Sequence, residues 1–332
     1  MKKADNENKA NRANNESSIN NENNKEQTAA MEIIREAKKA VIGKDDCIMK
    51  AVAAILAGGH ILLNDIPGVG KTTLAVALAN SMSLVQNRVQ FTPDVMPSDL
   101  TGFSMYKKDS GTFEYQPGSV MCNLLLADEI NRTSPKTQSA LLEVMEEQKV
   151  TVDGITHEVP SPFIVIATQN PFGSAGTWML PEAQLDRFMV CLKLGYPKME
   201  EEIDILKGMQ RREEVHPVIT KEELLAMQKE ADHIFVHEEL YRYVGELADR
   251  TRKHPMIDLG LSPRGTINVL QMAKSVSFLN QRSYVIPEDV KDVFQDVCAH
   301  RIILNAKARV AHKDVAQVLE EILKHTPAPK IL

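Results

Sequence analysis

Between His60 and Met82 the chain runs from an apolar segment through a glycine-containing loop into a helical pattern with no spare residue. His60-Ile-Leu-Leu-Asn64 reads as a strand, Asp65-Ile-Pro-Gly-Val-Gly-Lys-Thr72 as a tight loop, and Thr72–Met82 as a helix. A loop of this kind suits a polyphosphate, which needs many donors at close range. Gly68 and Gly70 let the backbone turn its N–H groups inward and approach phosphates closely. The helix N-terminus adds partial positive charge. Lys71 would reach the β- and γ-phosphates, and the Thr72 hydroxyl would bind Mg²⁺. Pro67, Val69 and Thr73 complete the cradle. The generic pattern has glycine six residues before the lysine, and Asp65 stands there instead. An aspartate can bend a turn through its own side chain, so the loop survives the change.

The segments after this loop keep alternating. Short apolar runs at Arg88–Phe91, Asn123–Ala127, Phe163–Thr168 and Met189–Leu194 are separated in places by helical patterns, notably Pro135–Glu147. Such alternation predicts an α/β domain, a parallel sheet covered on both faces. Ligands of these sheets bind at the strand ends. Past Tyr196-Pro197 the pattern turns helical: Glu200–Arg211, Lys221–Ala231, His237–Arg252, Pro263–Asn280 and Pro287–Arg301. Three regions follow: a tail at 1–29, a nucleotide-binding core at 30–197, and an all-helical domain at 198–332. Nine asparagines dominate the tail and its five basic and five acidic residues cancel. It has almost nothing to bury, so it is expected to be disordered.

A net charge of −6 and the lack of a basic run argue against general nucleic-acid binding. Cys47, Cys122, Cys191 and Cys298 form no CxxC pair, which fits a reducing cytoplasm. No apolar run approaches the roughly 18–20 residues a membrane span needs, and no signal core opens the chain. His233 and His237 are spaced as helical zinc ligands could be, but they lack an acidic partner and read as solvated.

Four further positions carry candidate chemistry. Asn123-Leu-Leu-Leu-Ala-Asp-Glu129 is a buried strand ending in two carboxylates. Asp128 would hold the Mg²⁺ shell, and Glu129 would orient and deprotonate an attacking water. Ile164-Val-Ile-Ala-Thr-Gln-Asn170 would lie beside it, with Asn170 either touching that water and the γ-phosphate or simply ending the strand. Arg187, in Leu185-Asp-Arg-Phe188, is either a surface ion-pair residue or an arginine that enters a neighbour's site. Arg264 follows Ser262 and Pro263, which suit the first turn of a helix. It either reaches back to the γ-phosphate or faces solvent.

In this order the motifs resemble the AAA+ superfamily. Longer strings resemble its MoxR branch: Gln90-Phe-Thr-Pro-Asp-Val-Met-Pro-Ser-Asp-Leu-Thr-Gly102, Leu124-Leu-Leu-Ala-Asp-Glu-Ile-Asn-Arg132, Pro135-Lys-Thr-Gln-Ser-Ala-Leu-Leu-Glu143, Ala167-Thr-Gln-Asn-Pro171 and Leu180-Pro-Glu-Ala-Gln-Leu-Asp-Arg-Phe188. The resemblance covers about residue 31 to the end. It implies a five-stranded parallel sheet, a helical lid, and ATP- and Mg²⁺-dependent hexamers. Lys71, Thr72, Asp128 and Glu129 would form the hydrolytic set. Asn170 matches sensor 1, Arg187 the trans-acting finger and Arg264 sensor 2. Val41-Ile42-Gly43 resembles the segment that packs on adenine. The resemblance further implies remodelling or activation of client proteins, often with a von Willebrand factor A partner. Phe172-Gly-Ser-Ala175 departs from the family, where an acidic residue after the Asn-Pro is common.

Two hairpins are also expected. Lys149–Val152 and Ile155–Val159 flank Asp153-Gly154, a two-residue turn signal. Thr101–Tyr106 and Thr112–Tyr115 flank a second turn. Phe103 and Tyr106 are either client contacts or ordinary hairpin packing. The function classes left open are an ATPase that remodels proteins, a nucleotide-gated scaffold with slow hydrolysis, and a chelatase-like or nucleic-acid-associated subunit.

Overall fold

The computed structural model describes residues 26–41, 43–65, 68–109, 111–169, 178–206 and 214–330. Of the expected site residues, Ile42, Pro67 and Asn170 lie outside this set, as do Phe172–Ala175 and the tail up to residue 25.

A helix over 26–40 (α1) leads into α2 (Asp45–Leu56). Helix α1 includes residues 26–29, and Gln27 is buried there. Five strands follow in the central sheet: β1 (Ile61–Asn64), β2 (Gln86–Gln90), β5 (Leu124–Asp128), β8 (Ile164–Gln169) and β9 (Val190–Leu192). Their spatial order is β2-β5-β8-β1-β9 and every pairing is parallel. Parallel neighbours need long crossovers, and these supply the helices that cover both faces.

Alternation along the strands divides the interior. Ile61, Leu63, Leu124, Leu126, Ile164 and Ile166 face one core, which is shared with α1, α2 and α3 (Lys71–Ser81). Leu62, Leu125, Ala127, Val165 and Ala167 face the other, beneath α5 (Pro135–Glu147). A strand buried on both faces leaves no polar position except at its ends, which is where the carboxylates stand.

The predicted hairpins form as β3–β4 (Gly102–Lys107, Thr112–Pro117) and β6–β7 (Lys149–Val152, Ile155–Glu158). They touch through Tyr115 stacked on His157, with ring centroids 3.8 Å apart. Beyond α6 (Glu182–Leu185) and α7 (Met199–Leu206), the C-terminal region builds α8 (Lys221–Asp232), α9 (Glu238–Lys253), α10 (Pro263–Leu279), α11 (Pro287–Cys298), α12 (Ala306–Val310) and α13 (Val315–His325). It also holds a short antiparallel ribbon, β10 (Ile257–Leu259) with β11 (Ile303–Leu304), which sequence reading missed. This region is not set apart from the sheet. Leu224, Leu240, Val269, Val290 and Leu319 belong to the same core as α2 and β1.

Candidate functional site

The loop after β1 has the geometry that its glycines allow. Gly68 and Gly70 take φ of 86° and 96°, and Gly70 caps α3 in the left-handed region. A Cβ built on either glycine meets no heavy atom within 4 Å, so the loop opens onto free space rather than protein. Thr72 and Thr73 lie half-buried in the first turn of α3. The Lys71 ammonium donates to the carbonyl of Asp65 at 2.6 Å. Burial pushes the Lys71 pKa down, while Asp65, Asp128 and Glu129 pull it up. The lysine and both strand-end carboxylates therefore share one electrostatic neighbourhood.

Asp65 explains how the loop does without the usual glycine. Its side chain is buried and accepts the Gly195 N–H at 2.6 Å, just beyond β9. The loop is thus tied at its root to the chain leaving the sheet.

Asp128 ends β5 and is buried. Its Oδ2 accepts Arg88 Nε at 2.7 Å and its Oδ1 accepts the Thr168 hydroxyl at 3.3 Å. Glu129 follows with φ 56°, a left-handed backbone uncommon for a non-glycine residue. Its N–H donates to Thr168 Oγ1 at 2.9 Å. Its carboxylate accepts Gln90 Nε2 at 3.0 Å and pairs with Arg132 at 2.9 Å. Thr168 therefore fixes both acids. It owes this place to register, because Ala127 pairs with Ala167 and the next residues of the two strands then face each other. At the adenine-like segment, Val41 is buried and Gly43 is exposed with φ 73°.

The two arginines lie elsewhere. Arg187 pairs with Glu146 Oε2 at 2.7 Å and donates to Leu142 O at 2.5 Å. Arg264 pairs with the other oxygen of the same carboxylate. That hydrogen bond, with the charges of both arginines, holds the Glu146 carboxyl below its usual range. The three residues line an open pocket of about 320 Å³ with Gly59, His60 and Met189. His60 precedes β1 and Met189 precedes β9, so this pocket lies at the N-terminal edge of the sheet. The phosphate loop and Asp128 lie at the C-terminal edge, one strand length away. The reading in which Arg264 reaches back to the γ-phosphate of its own loop does not match this placement. The start of α10 is tied through Ser262 to Asp186, just ahead of β9, and aims Arg264 at Glu146.

His60 anchors this edge. Its Nδ1 accepts the Val165 N–H at 3.0 Å and its Nε2 lies 3.1 Å from Met145 O. Burial of the ring pushes its pKa down to about 4, against the contact with the Met145 carbonyl, which pulls it up.

Residues 60–190 match the ATPase family associated with various cellular activities (AAA), and residues 249–325 match an AAA lid domain. Chaperone MoxR1 of Mycobacterium tuberculosis is 37% identical, over 90% of this chain and 82% of its own. This chain belongs to the MoxR family of AAA+ ATPases. The uncharacterized protein YeaC of Bacillus subtilis is 44% identical, over 89% of this chain and 93% of its own. A crystal structure of a candidate ATPase from Cytophaga hutchinsonii superposes with a TM-score of 0.87 at 38% identity, covering 95% of this chain and 99% of that one.

In this MoxR-family chain, then, the structure brings together Gly68, Val69, Gly70, Lys71, Thr72, Thr73, Asp128 and Glu129. Arg187 and Arg264 gather separately around Glu146. Sequence reasoning missed Thr168, Gln90, Arg88 and Glu146. Only Thr168 left a signal, a hydroxyl inside the apolar run that was expected beside the acidic strand. No helix among the described residues is long and apolar enough to cross a membrane.

Proposed function

We propose that this chain binds and hydrolyses Mg²⁺-ATP between neighbouring copies in a hexameric ring, and uses the cycle to remodel or activate client proteins. The observation that carries the reading is one electrostatic neighbourhood. Lys71, Asp128 and Glu129 meet beside two left-handed glycines whose missing Cβ atoms leave an open cradle.

The donor set fits the nucleotide. The amides around Gly68–Thr72 and the Lys71 ammonium would bind phosphate oxygens, with the helix N-terminus adding partial positive charge. Thr72 and Asp128 are the hard oxygen ligands magnesium prefers. Magnesium bound there would neutralise charge on the phosphates. Glu129 would orient a water and take its proton, and Thr168 holds the peptide that aims it. Arg187 and Arg264, one strand length from their own loop, would serve the site of an adjacent copy. Asn170 would act as sensor 1 and Val41, Ile42, Pro67 and Gly43 would frame the nucleotide. The region 198–332 would form the lid on a core at 30–197. A cytoplasmic setting accords with four free thiols.

Phe103, Tyr106 and Phe113 are exposed on β3–β4, and we assign the client contact to this hairpin. A von Willebrand factor A domain protein is the proposed partner. The test is a mixture. Arg187→Ala and Glu129→Gln should each turn over little alone, since one lacks the finger and the other the base. Combined, they should regain activity at sites pairing an intact Glu129 with an intact Arg187. No recovery would exclude a shared site. Capture of a client by the ATP-loaded Glu129→Gln form tests the remodelling role.

A further inference from the structure

Arg301 follows α11, inside the lid match, and its side chain is only 2% exposed. Its donors nearly all point at one short stretch of the core. Nε donates to Asp186 Oδ1 at 2.7 Å, Nη2 to the carbonyls of Asp186 at 3.1 Å and Phe188 at 2.5 Å, and Nη1 to the carbonyl of Met189 at 3.1 Å. Another Nη1 contact, to Val297 O, stays within the lid. These core acceptors flank Arg187 on both sides. The stretch precedes β9, which begins at Val190, so Arg301 supplies partners where the sheet does not yet do so.

Asp186 also reaches α10. The Ser262 hydroxyl lies 3.0 Å from each carboxylate oxygen, and Ser262 Oγ caps the helix by accepting the Gly265 N–H at 2.9 Å. Arg264 sits in the same first turn. Gly265 lets that turn settle onto Arg301, since a Cβ there would lie 2.9 Å from Arg301 Cδ and 2.5 Å from a Leu261 methyl. One buried guanidinium and one carboxylate thus set the segment of Arg187 and the root of Arg264 at once.

We propose that Asp186 and Arg301 are positioning residues that hold Arg187 and Arg264 in register, so that the lid and the core present them to a neighbouring copy as one unit. This rests on the reading of Arg187 as an arginine acting in a neighbour's site. An ordinary stabilising tie could sit anywhere between lid and core. This one is spent on the peptides around Arg187, where a displacement of about 1 Å costs on the order of 10² in rate. A guanidinium is required because only its planar fork of five donors can serve a carboxylate and several carbonyls together.

The test uses Asp186→Asn and Arg301→Lys in the full chain, with Arg187→Ala alongside. Both positioning variants should lower kcat about 10- to 100-fold while KM for ATP and nucleotide affinity stay within about twofold. Mixed with Glu129→Gln, both should regain turnover, because their own Lys71, Asp128 and Glu129 are intact. A defect of folding or of the variant's own site would not recover in that mixture. Should Arg301→Lys fail to fold by thermal melting, Asp186→Asn and Ser262→Ala carry the test. Unchanged kcat, weakened nucleotide binding, or a loss without recovery would overturn the proposal. Where Arg187→Ala recovers and the positioning variants do not, only the positioning role falls. Where Arg187→Ala also fails to recover, the shared-site reading falls with it.

Discussion

The two edges of the central sheet are built on opposite plans. The C-terminal edge offers backbone amides, one lysine and two carboxylates, arranged by short stretches of local sequence around Lys71 and Asp128. The N-terminal edge offers two arginines on one carboxylate, assembled from α5, the approach to β9 and the start of α10. The first edge can be written in consecutive residues because a strand, a turn and a helix fix it. The second requires three distant segments to meet, so it depends on how the lid sits. Each edge lacks what the other carries.

The contrast breaks most visibly at Lys71. Lys71→Ala should abolish nucleotide binding in a fluorescent-nucleotide titration and leave the Glu146 junction unaltered. Arg187→Ala should do the reverse, with nucleotide affinity kept and turnover lost by about 10³-fold or more. Equal losses of affinity in the two variants would end the distinction between the edges.

Protonation sharpens it next. His60 is neutral in the folded chain, with a pKa near 4 against ~6.5 when unfolded. Between those values the unfolded chain holds the extra proton. Its contribution is therefore complete above pH 6.5 and falls as the pH drops towards 4, by roughly 3 kcal/mol in all. Urea melts of parent and His60→Asn across that window should diverge least at about pH 4 and below, where the parent has lost this advantage. Thr168→Val should cost about 1–3 kcal/mol at the other edge, because it leaves the Glu129 N–H without its acceptor. The smallest effect belongs to Glu146→Gln, under about 1 kcal/mol, since all three side chains are partly exposed. Lowering the pH should mimic it. Glu146 is held below the usual range, so the pairing is complete above the ordinary glutamate pKa and is lost as the pH falls through the depressed one.

What could be read from residues alone follows the same divide. The five strands, α5 and the Asp153-Gly154 hairpin were legible because each is encoded locally by period, cap or turn. Lys71 and Thr72 were legible from the glycine loop that opens α3, and Asp128 and Glu129 from the end of the apolar β5 run. Thr168 needed the parallel register, and Glu146 needed the tertiary meeting of two arginines. The β10–β11 ribbon joins three residues to two across more than forty positions, too short a pattern to stand out. Arg264 was placed at a helix start correctly, yet its direction came from the packing of α10 on Arg301 and Asp186.

Asp65 has a consequence of its own. Its carbonyl grips the Lys71 ammonium while its carboxylate clasps the Gly195 amide, so the mouth of the cradle and the doorway to the helical half meet in one residue. A tug on either would register at the other with no ligand between them. Replacing Asp65 with the commoner glycine would restore a familiar motif and cut that tether, and amide exchange at Gly195 would report the cut.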